Sequence, residues 1–191
     1  MTGAATIEAM QAEADTRRWL ERAVIGLNLC PFAKAVHVKR QIHYAVYLPA
    51  GDESLIEMLL AEAHELTARD ASVRDTTLLI APNTLADFLD FNDFTVRAER
   101  KLARAGFDGV LQLASFHPHF QFAGSAADDI ANATNRAPYP TLHLLREESV
   151  GRAVDAFPDA EAIFERNIET LEALGQAGWD ALDVGPGSAR P

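Results

Sequence analysis

The sequence predicts an α/β fold: a single domain with a mostly parallel sheet of about four strands flanked by helices. Three observations predict it. Short β-favouring runs stand at 38–48, 76–81, 109–115 and 141–145. Longer stretches with apolar residues at helical spacing lie between the first three runs. A helical connection between successive strands implies a parallel, right-handed crossover. The alternative is an α+β plait in which one neighbouring pair is antiparallel. With 191 residues, 48% of them hydrophobic, the chain can bury one sizeable core.

Thr6 caps a first helix reaching residue 27, with Trp19, Ala23, Val24 and Leu27 as its apolar stripe. Pro31 ends it. In the first strand Ile42, Tyr44, Val46 and Leu48 alternate with other residues. Pro49-Ala50-Gly51 makes a turn, and Asp52 caps a helix to residue 69 buried through Leu55, Met58, Leu59, Ala63 and Leu66. The second strand is broken by Pro82-Asn83. Thr84, with Asp87 three residues on, resembles a capping box for a helix reaching 105, where Gly106 stops it. A third strand follows, then a short helix at 126–135. The two prolines within 136–140 forbid regular helix, and the Tyr139-Pro140 bond is expected trans. After the fourth strand come a short helix at 148–157 and a last helix with Pro158 in its first turn and Asp159 and Glu161 at its positive end. Its stripe is Ile163, Phe164, Ile168, Leu171 and Leu174. Residues 1–184 read as one globular domain and 185–191 as a disordered tail.

Bulk properties exclude several function classes. A net charge of -11 argues against general nucleic-acid binding, which needs a cationic surface. No apolar run is long enough to cross a membrane, and no basic stretch precedes an apolar one as in a secretory signal. Cys30 is the only cysteine, so no internal disulfide can form. These features lead us to expect a cytoplasmic protein. No feature specifies an oligomeric state. Lys34, Lys39 and Arg40 form one basic island, which suits either a solvated loop or a local anion contact.

The stretch Ser115-Phe116-His117-Pro118-His119-Phe120-Gln121-Phe122 carries the main site hypothesis. In an extended chain it puts the phenylalanines on one face and His117, His119 and Gln121 on the other. Histidine titrates near neutral pH and serves as acid, base or metal ligand. In open α/β sheets ligands bind beyond the carboxyl ends of the strands. His117 follows the third strand and Arg146 the fourth, so both are expected at one edge. Asn132, Asn135 and Arg136 lie on the loop between them. Arg136 and Arg146 suit a carboxylate or phosphate, because guanidinium is a planar fork of donors. The favoured reading is an enzyme acting on an anionic small metabolite, with His117 as acid/base and the arginines as clamp. His119, Gln121, Asn132 and Asn135 complete that site, and no cofactor is favoured. Its rival is a divalent metal such as zinc on His117, His119 and His143, with Asp128 or Asp129 able to add oxygen. A third reading is a non-catalytic ligand-binding or interaction protein. Cys30 sits at a helix exit and reads as a packed thiol rather than a nucleophile. Because His143 and Arg146 are three apart, an unbroken strand turns them to opposite faces.

Asn28-Leu29-Cys30-Pro31-Phe32-Ala33, Phe116-His117-Pro118, Gln121-Phe122 and the run Asn135-Arg136-Ala137-Pro138-Tyr139-Pro140-Thr141-Leu142-His143-Leu144-Leu145-Arg146-Glu147 resemble the domain of unknown function family fourteen-fifteen. The resemblance covers nearly the whole chain apart from its ends. It implies a bacterial, single-domain protein, and it implies no activity.

Overall fold

The computed structural model describes residues 3–156 and 162–187. Its sheet contains β1 (Ile42–Val46), β2 (Thr76–Ile80), β3 (Leu111–Phe116) and β4 (Thr141–Arg146), in the spatial order β1-β2-β4-β3. β1 and β2 are parallel, while β4 is antiparallel to both β2 and β3. The first three strands therefore point one way, as their helical crossovers require. β4 enters between β2 and β3 from the other direction, so the sheet is mixed and the expected mostly parallel sheet is corrected. The reason lies in the connection. Between β3 and β4 the chain makes only a 3₁₀ turn at Ile130–Asn135. Without a helical crossover it returns beside β3 as a long hairpin.

This reversal separates two residues expected at one edge. Phe116 is paired with Thr141 and Leu111 with Arg146. His117 and Arg146 therefore stand at opposite ends of the sheet, roughly 20 Å apart along the strands at about 3.4 Å per residue.

The helices are α1 (Gly3–Trp19), α2 (Ala33–Val38), α3 (Leu55–Ala68), α4 (Phe88–Leu102), α5 (Glu147–Asp155) and α6 (Ile163–Ala181). A π-helical turn at Leu20–Ile25 prolongs α1, and another at Ala103–Phe107 prolongs α4. Gly106, at φ 89, supplies the left-handed residue that lets the chain leave α4. The cap of α4 is Asp87, whose carboxylate accepts from the Leu89 and Asp90 N–H groups. Thr84 lies too early to cap it, because Leu85 between them takes φ 58 and breaks the helical path. Among the described residues no helix is long and apolar enough to cross a membrane.

The two sheet faces pack differently. On one, Leu79, Leu142, Leu144 and Leu111 meet Leu55, Leu59 and Leu66 of α3 and Phe91, Phe94 and Ala98 of α4. Leu59 is fully buried, so Leu59→Ala costs about 2–5 kcal/mol. On the other face Tyr44, Leu78 and Ile80 meet Trp19, Leu20, Ala23 and Val24. A smaller cluster of Leu29, Ala133 and Leu171 lies under α6.

After α6 the chain runs back along α1. Arg18 donates to the carbonyls of Asp183 (2.8 Å) and Gly185 (2.9 Å). Fully buried Asp15 accepts from the Gly187 N–H (2.9 Å) and the Tyr139 hydroxyl (2.7 Å). Residues 185–187, expected to begin a loose tail, are thus tied to α1. Residues 188–191, Pro158, Asp159 and Glu161 lie outside the described residues. The Tyr139-Pro140 bond is trans.

Candidate functional site

β3 ends at Phe116, and the aromatic-histidine stretch begins there. The strand's alternation carries one residue further. Leu111, Leu113 and Ser115 share the face toward α4, and so does His117. His117 is fully buried and packs against Phe88 and Phe91 of α4, at 5.4 and 5.0 Å between ring centroids. Its Nε2 donates to the Leu85 carbonyl (3.0 Å), and its Nδ1 accepts from the His119 N–H (3.0 Å). One donor and one acceptor make a neutral ring with both nitrogens engaged. Burial pushes its pKa below the usual histidine value. The expected face is inverted: the ring lies inside while Phe116, Phe120 and Phe122 are only part-buried. The alternation fails beyond His117 because Pro118 and His119 form a turn rather than strand.

The other expected site residues on this loop brace it. Asn132, fully buried, accepts from the Phe122 N–H (3.0 Å) and the Ser125 hydroxyl (2.8 Å), and donates to the Ala126 carbonyl (2.8 Å). Gln121 donates to the Ser125 carbonyl (2.7 Å), and the Asn135 carbonyl accepts the His117 N–H (3.2 Å). Arg136 donates to the carbonyls of Phe120 (3.3 Å) and Ala127 (2.6 Å). His119 is exposed.

Arg146 serves a different end of the molecule. Its Nη2 donates to the carbonyls of Leu66, Arg69 (2.7 Å) and Arg74 (3.0 Å). A cation there satisfies the open carbonyls at the end of α3 and opposes its dipole. Arg136 and Arg146 therefore do not face one another across a site. The histidine trio is not assembled either: strand parity puts His143 on the face opposite His117. Among the described residues no three His, Cys, Asp or Glu side chains are grouped to hold a metal ion.

The second sheet face holds a cavity of about 590 Å³. Its floor is Thr76 and Leu78 of β2, His143 and Leu145 of β4, and Ala114 and Phe116 of β3. Trp19, Leu20 and Val24 close one side, Cys30 to Ala33 with Ala35 and Val36 another, and Val150, Ala153 and Ala156 a third. No residue of α5 is fully buried, because its apolar face looks onto this space rather than onto packed side chains. The few polar wall groups include Asp75, which accepts from the Ser149 hydroxyl (2.6 Å) and lies 3.9 Å from Arg146 Nε. Burial pushes the Cys30 thiol up, which keeps it protonated.

His143 is the chemically distinctive group of that floor. Its Nε2 lies 2.6 Å from Thr76 Oγ1. Burial alone pushes its pKa down to about 4, so the ring is neutral at pH 7. The sequence did mark this face. A histidine alternates there with buried Leu142 and Leu144, opposite the small residue Ala114. Those features were legible, but nothing local showed that α1, α2 and α5 would leave space above them.

A second recess, about 380 Å³, lies at the edge of β1 and is lined by Arg17, His37, Val38, Arg40, Ile42 and Tyr44. Part of the basic island therefore borders a hollow. Arg17 there pairs with Glu13 (2.7 Å) and stacks on Tyr44, and His37 Nε2 lies 3.5 Å from Glu21.

A family model described as "Protein of unknown function (DUF1415)" matches residues 11–181. The chain belongs to this family. The DUF1415 match spans β1 to β4 and every wall of the larger cavity. No curated protein and no solved structure matches the chain.

Proposed function

We propose that this protein binds a small, largely apolar molecule in the cavity between the sheet and helices α1, α2 and α5. The observation that carries the reading is the cavity itself: about 590 Å³, walled mainly by apolar side chains, with one imidazole in its floor. Small-molecule sites are commonly concave spaces of about 300–1,000 Å³ with mostly apolar walls and few polar groups. Well-packed interiors hold few voids much larger than a water molecule. An acid/base reaction at His117 on an anionic metabolite would need that ring released from both its partners. Binding here needs no such rearrangement.

The neutral fluorescent probe N-phenyl-1-naphthylamine tests the reading. It is expected to bind saturably with one-to-one stoichiometry. Ala114→Phe in the floor and Ala153→Phe in the wall should each abolish binding while circular dichroism stays unchanged. Absence of saturable binding, or equal binding by both filled variants, would overturn it.

A further inference from the structure

We infer that the cavity selects neutral apolar molecules carrying an O–H or N–H donor, and that His143 Nδ1 accepts that hydrogen bond. This rests on the reading that the cavity binds small molecules, and it names their class.

The argument starts from one proton. Thr76 Oγ1 lies 2.6 Å from the Leu144 carbonyl and 2.6 Å from His143 Nε2. A hydroxyl has a single proton to give, and a carbonyl has none. Two oxygens at that separation repel unless a proton lies between them, so the hydroxyl must donate to Leu144. The Thr76 oxygen then has only lone pairs left for His143. Nε2 must therefore carry the ring proton and donate to Thr76. A neutral imidazole has one N–H, so Nδ1 is a bare lone pair. Among the described residues none donates to Nδ1, and it is not among the buried atoms left without a partner. The ring lines the cavity, so Nδ1 is the atom it can offer there. The low pKa of the ring agrees with a neutral imidazole, which has one N–H.

The remaining polar wall points the same way. Asp75 brings a carboxylate to the wall, which also accepts. Arg146 borders the cavity too, but its charge already lies beside Asp75 (3.9 Å) and its Nη2 donates to the carbonyls of Leu66, Arg69 and Arg74. A carboxylate ligand would place its charge among apolar walls, facing a lone pair and a second carboxylate. Burying an unpaired charge costs far more than burying a neutral donor that finds an acceptor. An ether of the same shape would fit but leave Nδ1 without a partner.

The test compares 4-nonylphenol, its methyl ether and 4-nonylbenzoate, titrated against the full chain at pH 7.5. The phenol should bind about 5- to 100-fold more tightly than the ether, the span expected for one buried hydrogen bond made or left unmade. The benzoate should bind no better than the ether. His143→Phe should erase the difference between phenol and ether. A measurement independent of that variant is ¹⁵N NMR of histidine-labelled protein, which should show His143 protonated at Nε2 and its Nδ1 resonance shifting only with the phenol. Equal binding of phenol and ether, tighter binding of benzoate, or a proton on Nδ1 would overturn this inference and leave the cavity reading standing. No binding by any of the three would remove both.

Discussion

His117 Nε2 stands 3.0 Å from the carbonyl of Leu85, a residue held at φ 58 just ahead of α4. With Nδ1 accepting from His119, the imidazole joins the end of β3, the turn after it and the approach to α4. Three backbone segments are fixed by one side chain.

Replacing that ring should therefore damage stability rather than binding. His117→Ala leaves a cavity and strands two polar groups, at a cost of about 2–5 kcal/mol. His117→Phe keeps the bulk but still strands the Leu85 carbonyl, at about 1–3 kcal/mol. Urea unfolding measures both. Folded fractions of either variant should bind N-phenyl-1-naphthylamine as the parent does. A variant of full stability that cannot bind would return His117 to the functional site.

Acid should weaken the fold through His143. Its pKa falls from 6.5 to about 4 on folding. Between those values the unfolded chain holds the proton and the folded chain does not. Stability must then decline as pH drops from near 6.5, and this contribution is fully lost by about pH 4. Urea midpoints at pH 7, 5.5 and 4.5 should show the decline, with a smaller slope in His143→Phe. Equal slopes would mean that the ring is not protected from protonation.

Arg146→Leu should cost about 2–3 kcal/mol, since a charged donor leaves the carbonyls at the end of α3. Hydrogen exchange should quicken first at residues 66–74. Affinity for phosphate or simple carboxylates should not change. A selective loss of anion binding with stability intact would support the clamp instead.

Cys30 should react slowly with iodoacetamide at pH 7.5, because burial keeps its thiol protonated. A cavity ligand should slow it further, as Cys30 lines the same space. Mass spectrometry follows the adduct. Rapid alkylation that ligand leaves unchanged would place the thiol outside the cavity.

Much of the fold could be read from local pattern. Alternation in Ile42, Tyr44 and Val46 and the spacing of Leu55, Leu59 and Leu66 mark β1 and α3 near their observed places. Strand order could not be read. Whether β4 joins the sheet at an edge or between β2 and β3 depends on contacts far apart in sequence. The site differs from expectation for a local reason. The strand ends at Phe116, so its alternation does not extend through Pro118. Counted from Leu111 and Leu113, it puts His117 inside. Parity does put His143 on the cavity face, opposite Leu142 and Leu144, which pack toward α3 and α4; Arg146, at the end of the strand, nevertheless borders the same cavity.

The placement of β4 also sets an order of events for a chain made from its N-terminus. Until residue 141 is synthesised, β2 and β3 have no neighbour in common and must wait about two strand spacings, roughly 10 Å, apart. Both then expose unpaired backbone edges, the kind that joins to foreign strands. β4 closes both ladders at once, by contacts as distant in sequence as Thr76 to Leu145. Such late, long-range pairing makes for slow folding. A nascent chain halted before β4 should therefore be the species most prone to aggregate.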